Sequence, residues 1–156
     1  MKSRSSGQPA GQLSAARPVR RAEEMETDEA LALLDTVEVG RVVFTRNALP
    51  AVRPVNHVVD AGDIVIRVQD DSTLAALLSA HAGTGVVVAY EADSIEPFDH
   101  LGWSVVVTGY ATAVTDPHEI ERYAGLLQPW VEGTTSGAIR IRPDLVTGFR
   151  LLPSSP

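Results

Sequence analysis

The chain of 156 residues has no cysteine at all. That excludes disulfides, thiolate nucleophiles, iron–sulfur ligation and cysteine zinc sites. Lysine is almost as scarce, because Lys2 is the only one. Any anion held by the folded body must therefore be gripped by arginine, hydroxyls or backbone N–H groups. Histidine is sparse too. His57, His81, His100 and His118 show no metal-ligand spacing, so no protein-bound transition metal is expected. No apolar run reaches the roughly 18 residues of a membrane span. The N-terminal stretch lacks the apolar segment of a signal peptide, and a cytoplasmic protein is the expectation. There is no glycine-rich phosphate loop, since the Gly83–Gly85 stretch precedes a strand and reads as a turn. No Ser/His/Asp constellation is assignable.

What is present suits a compact domain. Hydrophobic residues make up 44% of the chain, and a domain of this size buries roughly 70% of the surface its unfolded chain exposes. Charge is unevenly spread. Lys2, Arg4, Arg17, Arg20 and Arg21 precede every acidic residue, which leaves a body of about −12 within a net charge of −7. Such a body repels a nucleic-acid backbone. Residues 1–24, rich in Gly, Ser, Pro and Arg, read as a disordered basic tail, and residues 25–156 as a single domain.

Periodicity and punctuation give the element order. "METDEALALLDTVEVG" predicts a helix capped by Thr27 or Asp28, with Leu31, Leu34 and Val37 at helical spacing and Gly40 past its end. "RVVFTR" predicts a strand and "NALP" its turn. A hairpin follows over Pro50–Val68, then a short helix over Asp71–Gly83. Strands are expected over Thr84–Asp93 and Trp103–Val114, the second bent or bulged at Gly109. Asp116 and Pro117 mark the start of a third helix. "PWVEGTTSG" reads as a loop. "AIRIRPDLVTGFRLLP" predicts two short final strands around Pro143–Asp144. Many strands, short turns and few helices favour a mainly β (α+β) fold, an antiparallel barrel with flanking helices.

The hairpin carries the chemistry. A two-residue Ala61-Gly62 turn sets Asp60 against Asp63, Val58 against Val65 and Asn56 against Arg67. Asn56 and Arg67 then share one face, and Arg53, Val55 and His57 the other, with Pro54 a possible bulge. Ser72 and Thr73 follow at a helix start, where free N–H groups form an anion seat. Arginines beside hydroxyls at a helix N-terminus make a phosphate cradle; ordinary surface ion pairs are the alternative.

"LPAVRPVNHVVD", "GWSVVVTG" and "IRIRPDLVTG", with the "STL" helix start, closely resemble the pyridoxamine 5'-phosphate oxidase-like family, and most nearly its small actinobacterial, nitroimidazole reductase-like branch. The resemblance covers about Asp28 to Leu152. It implies an FMN-binding split β-barrel and a homodimer with the cofactor at the interface. It also implies that Arg53, Val55, Asn56, Arg67, Ser72 and Thr73 line the FMN site. Trp103 is expected near the flavin ring or the subunit interface, or else in the core. Thr73 stands where the family often has lysine, which removes one cation and makes a deazaflavin an alternative cofactor.

Other residues carry weaker readings. Ser104 has the chemistry to meet a flavin edge, Trp130 and Arg140 to approach a partner subunit's flavin, and His57 to act as an acid–base group or a structural histidine. Arg140 and Arg142 share one side of a strand and suit surface ion pairs. Asp99 and His100 lack a third member for a catalytic set. Glu91, Asp93 and Glu96 read as a solvated acidic stretch. The expected function is an FMN-dependent oxidoreductase acting on a small organic substrate. The alternatives are a flavin or deazaflavin carrier or sensor without turnover, and a cofactor-free interaction barrel.

Overall fold

A computed structural model describes residues 19–69, 72–128 and 137–154. The elements are β1 (Arg20–Met25), α1 (Thr27–Leu34), β2 (Val39–Arg46), β3 (Leu49–Asp60), β4 (Asp63–Val68), α2 (Thr73–Ala80), β5 (Val86–Ile95), β6 (Gly102–Ala113), α3 (Pro117–Leu126) and β7 (Gly137–Pro153). The sheet order is β1-β7-β4-β3-β2-β5-β6, and β6 also pairs with β7. The last pairing closes the sheet into an antiparallel barrel. This is the expected mainly β fold with flanking helices.

Alternation fills the barrel. Along β6, Val105 and Val107 are buried while Val106 between them is exposed, as a strand with one dry face requires. Ile64 and Ile66 of β4 and Ile139 and Ile141 of β7 join them in one core. A second, smaller core lies outside the barrel under α3, built on Val65, Val114, Tyr123, Leu127 and Ala138.

Three sequence readings change. Residues 20–24, counted with the tail, form most of β1 and pair with β7 from Arg20↔Pro153 to Met25↔Gly148; the rest of the tail lies outside the described residues. The two expected final strands are one strand of 17 residues. Pro143 does not interrupt it, because it sits at the register shift between Thr108 and Gly109. Gly109 pairs with Pro143 and Thr108 with Leu145, so Asp144 is the extra residue of a bulge. A residue without an N–H is tolerated at such a point. Finally, the N-cap of α1 is Glu26, whose side chain makes no capping hydrogen bond, rather than Thr27 or Asp28, and Gly40 is no helix stop but lies within β2.

Gly40 is required for another reason. A Cβ there would overlap the ring of Tyr90, which is fully buried. The Tyr90 hydroxyl lies 2.5 Å from His57 Nδ1, and His57 Nε2 lies 2.7 Å from the Leu34 carbonyl. The carbonyl only accepts, so Nε2 carries the proton and Nδ1 accepts from the phenol. A neutral imidazole thus ties α1 to the barrel interior. Burial is the main cause that lowers the His57 pKa from 6.5, against smaller upward effects from the Leu34 carbonyl and Asp35.

Two outcomes follow. Gly40→Ala is expected to destabilise the fold by about 3 kcal/mol, the upper end for overpacking a closed site, read as a lowered urea midpoint. His57 binds fewer protons folded than unfolded, so stability is fully present above pH 6.5 and falls below it. The His57 ring resonances should keep their neutral position as pH drops through 6.5 while unfolding free energy declines; protonation at 6.5 without loss of stability would contradict this.

Candidate functional site

The β3–β4 hairpin turns as its sequence demands. Ala61 (φ 51°) and Gly62 (φ 84°) both take positive φ, as a type I′ turn requires. Asp60 pairs with Asp63, Val58 with Val65 and His57 with Ile66. There the ladder stops. β3 goes on to pair with β2, Asn56 lying opposite Val39. β4 goes on beside β7, Arg67 opposite Ala138 and Val68 opposite Gly137. Beyond this point the two strands part, each still paired on its other edge.

A cavity of about 260 Å³ lies where they part. Val42 and Phe44 of β2 with Leu74 of α2 give it apolar walls, and its polar lining includes Arg53, Asn56, Arg67, Ser72 and Thr73. Val55 also lines it, on the face that points to the barrel core, as does Pro54. Six of the seven residues expected at a cofactor site therefore converge. Trp103 does not. It is buried on β6 with Val105 and Val107 in the barrel core, opposite Ser94 and Arg150, and is absent from the cavity lining. The inward parity of β6 puts it there.

Polar groups in the cavity differ in how they are held. Ser72 caps α2, its Oγ accepting from the Ala75 N–H at 3.2 Å. Its backbone carbonyl takes the Ala76 N–H. The Thr73 and Leu74 N–H groups have no acceptor among the described residues, so α2 presents two donors and the positive end of its dipole. Arg53 is exposed and donates only to the Val52 carbonyl, 2.8 Å away; it has no carboxylate partner among the described residues. Asn56 Nδ2 donates to the Gln128 carbonyl at 2.9 Å, and Arg67 Nη1 to the Leu127 carbonyl at 3.1 Å. Asn56 and Arg67 share a face, as the hairpin register required, and share α3 as their anchor.

No residue pattern marks the α3 contribution. Leu127 and Gln128 line the cavity, and they hold Arg67 and Asn56 through backbone carbonyls, which have no residue signature. The apolar walls from Val42, Phe44 and Leu74 read only as core. Other candidates lie elsewhere. Arg140 pairs with Glu119 and Asp63 on the far side of α3. His57 is structural. Asp99 caps the Leu101 N–H in a loop. Glu91 pairs with Arg41 on the outer sheet face, its pKa raised to about 7 by burial first and then by Asp93. Trp130 lies outside the described residues, as does the loop that contains it.

Residues 26–150 match the family described as pyridoxamine 5'-phosphate oxidase. An uncharacterized protein of Mycobacterium tuberculosis is 45% identical over 147 residues, covering 94% of this chain and 97% of that one. A solved structure from Corynebacterium glutamicum, provisionally assigned as a pyridoxamine 5'-phosphate oxidase, is 31% identical with a TM-score of 0.68, over 86% of this chain and 96% of that one. An FAD-binding protein from Mycobacterium smegmatis is 26% identical with a TM-score of 0.61, over 83% and 98% of the two chains. The chain belongs to the pyridoxamine 5'-phosphate oxidase family of split β-barrels.

Replacing Ser72 by Ala should cost about 1 kcal/mol of α2 stability, the usual value of an N-cap. Amide exchange is the readout. The Ala75 N–H should exchange faster, while sheet amides of β5 and β6 stay protected.

Proposed function

We propose that this chain is a flavin-dependent oxidoreductase that holds FMN in the cavity between the parted β3 and β4 strands and α2. One observation carries the reading. An arginine with no carboxylate partner among the described residues, Arg53, borders the same apolar-walled cavity as the N-terminus of α2, whose first N–H groups are unspent. That set suits a ligand with an anionic end and a broad apolar body. Arg53, Thr73 and the α2 N–H groups would hold the phosphate, and Val42, Phe44 and Leu74 would contact the apolar part. A bound flavin supplies electron or hydride transfer, and the protein supplies binding and orientation.

The FAD-binding relative from M. smegmatis supports a flavin as the ligand class. A non-catalytic carrier is the second reading. It is favoured by a lining without carboxylate or imidazole among the described residues, none of which moves a proton near neutrality. A second copy of the chain is the proposed partner. In support, Val52, Val43, Ala89, Thr108 and Leu145 form one row across the outer faces of β3, β2, β5, β6 and β7. Val52 and Leu145 at its ends are 50% and 61% exposed.

The test is titration with FMN, FAD and a deazaflavin, read by visible absorption after desalting. FMN should be retained, and Arg53→Ala should weaken it about tenfold or more, the usual loss of a charge-assisted hydrogen bond. Equal FMN affinity in that variant would overturn the site. Turnover with NAD(P)H and an electron acceptor separates the enzyme from the carrier.

A further inference from the structure

Arg67 and Asn56, the two cavity groups held by hydrogen bonds from outside the hairpin, depend on where α3 ends. The last carbonyls of a helix have no intrahelical donor and carry partial negative charge. Just past the end of α3, the carbonyls of its C-cap Leu127 and of Gln128 take the Arg67 and Asn56 donors. The end of α3 must therefore be fixed for the cavity to keep its shape. Yet α3 is short, and Tyr123 is its only buried residue.

Tyr123 is fully buried, its ring packed with Val65, Val114, Leu127 and Ala138. Its hydroxyl ends the apolar cluster in a set of charges drawn from three elements. It donates to Asp60 Oδ2 at 2.5 Å and receives Arg140 Nη2 at 2.8 Å. Arg122 Nη2 lies 2.7 Å from the same Asp60 oxygen, and its guanidinium sits 4.6 Å above the Tyr123 ring. Arg140 is fixed in turn by Glu119 at 3.1 Å and Asp63 at 3.5 Å. The hydroxyl thus ties α3 to the hairpin tip and to β7 at once. The Leu127 N–H donates to the Tyr123 carbonyl at 2.8 Å, so one helical turn links the phenol to the carbonyl that holds Arg67. Tyr123 itself does not line the cavity.

We propose that Tyr123 is a positioning residue of the cavity, latching α3 to the hairpin and β7 so that the Leu127 and Gln128 carbonyls set Arg67 and Asn56. Its effect on flavin affinity rests on the flavin reading above, whereas its effect on Arg67 does not.

Tyr123→Phe keeps the ring in the core and removes the hydroxyl. The Arg67 Nε–H resonance is expected to move in this variant, and FMN to bind about fivefold more weakly, the scale of one lost hydrogen bond. In an Arg67→Met background the further loss from Tyr123→Phe should shrink, the remainder passing through Asn56. In an Arg53→Ala background it should persist, because the hydrogen bond Arg53 makes among the described residues goes to the Val52 carbonyl and not to α3. Asp60→Ala, at the part-exposed hairpin tip, removes the acceptor of the Tyr123 hydroxyl without touching the core and should act in the same direction. An unmoved Arg67 resonance in both variants would overturn the latch. So would an equal loss of affinity with and without Arg67, which is what a merely structural tyrosine gives. If the unaltered protein retains no flavin, the flavin reading fails and the Arg67 resonance alone decides the latch.

Discussion

Closure of the barrel rests on the backbone hydrogen bonds of β7, whose two edges serve three other strands. One edge runs beside β6 for most of its length, from Gly102↔Leu151 to Ala113↔Ile139. The other is divided, Gly137–Ile141 going to β4 and Gly148–Pro153 to β1. An unpaired strand edge costs solvation and invites association, and β7 removes most of that exposure for a barrel of modest size. Its irregular points fit the same demand. Gly109 accepts the close approach of the Arg142 carbonyl, and Gly148 leaves room for Met25 and Ala30, where α1 and β1 cover the strand.

The cavity lies where the hairpin opens. It is paired from Asp60↔Asp63 to His57↔Ile66 and parts beyond that point, while β2 keeps the start of β3 and β7 the end of β4 on their other edges. Opening exposes Arg53, Asn56 and Arg67 to one space without pairing them to each other. Asn56 and Arg67 then need partners, since a partly buried donor left unmade costs free energy. The chain just past α3 supplies these through the Leu127 and Gln128 carbonyls. The site is thus formed where the hairpin opens and is completed by the turn that ends a helix.

Much of this was legible in the sequence, and what was legible is local. The Ala61-Gly62 turn fixed the hairpin register, and Asp116-Pro117 fixed the start of α3, where Asp116 accepts the His118 N–H. Convergence of Asn56, Arg67, Ser72 and Thr73 is expected from that register and the nearby helix start, whereas Arg53 and Val55 fall on the other face and join the site only through the family resemblance. Trp103 stands open in the sequence between the flavin ring, the subunit interface and the core, because an aromatic at a strand start suits each, and strand parity places its side chain in the core. β1 was hidden because its residues, Arg20 to Met25, carry four charges and bury little beyond Met25. β7 was split because proline usually ends a strand, and a bulge tolerates it. The role of α3 was invisible, since it acts through peptide carbonyls some 60 to 72 residues away in sequence.

The charge balance of the cavity sharpens what it can select. Thr73 stands where the family resemblance suggests a lysine, and Arg67 spends one donor on the Leu127 carbonyl. The cation left to meet an anion there is Arg53, at the exposed rim, helped by α2 N–H groups whose dipole contributes about 0.3–1 kcal/mol when exposed. Phosphate charge alone then binds modestly, and it would discriminate little between ligands that share a phosphate. Discrimination passes to the apolar walls of Val42, Phe44 and Leu74 and to the fixed Asn56 and Arg67 donors, where a wrong shape leaves buried groups unpaired. In such a cavity the placement of α3 matters more to ligand choice than the count of basic residues.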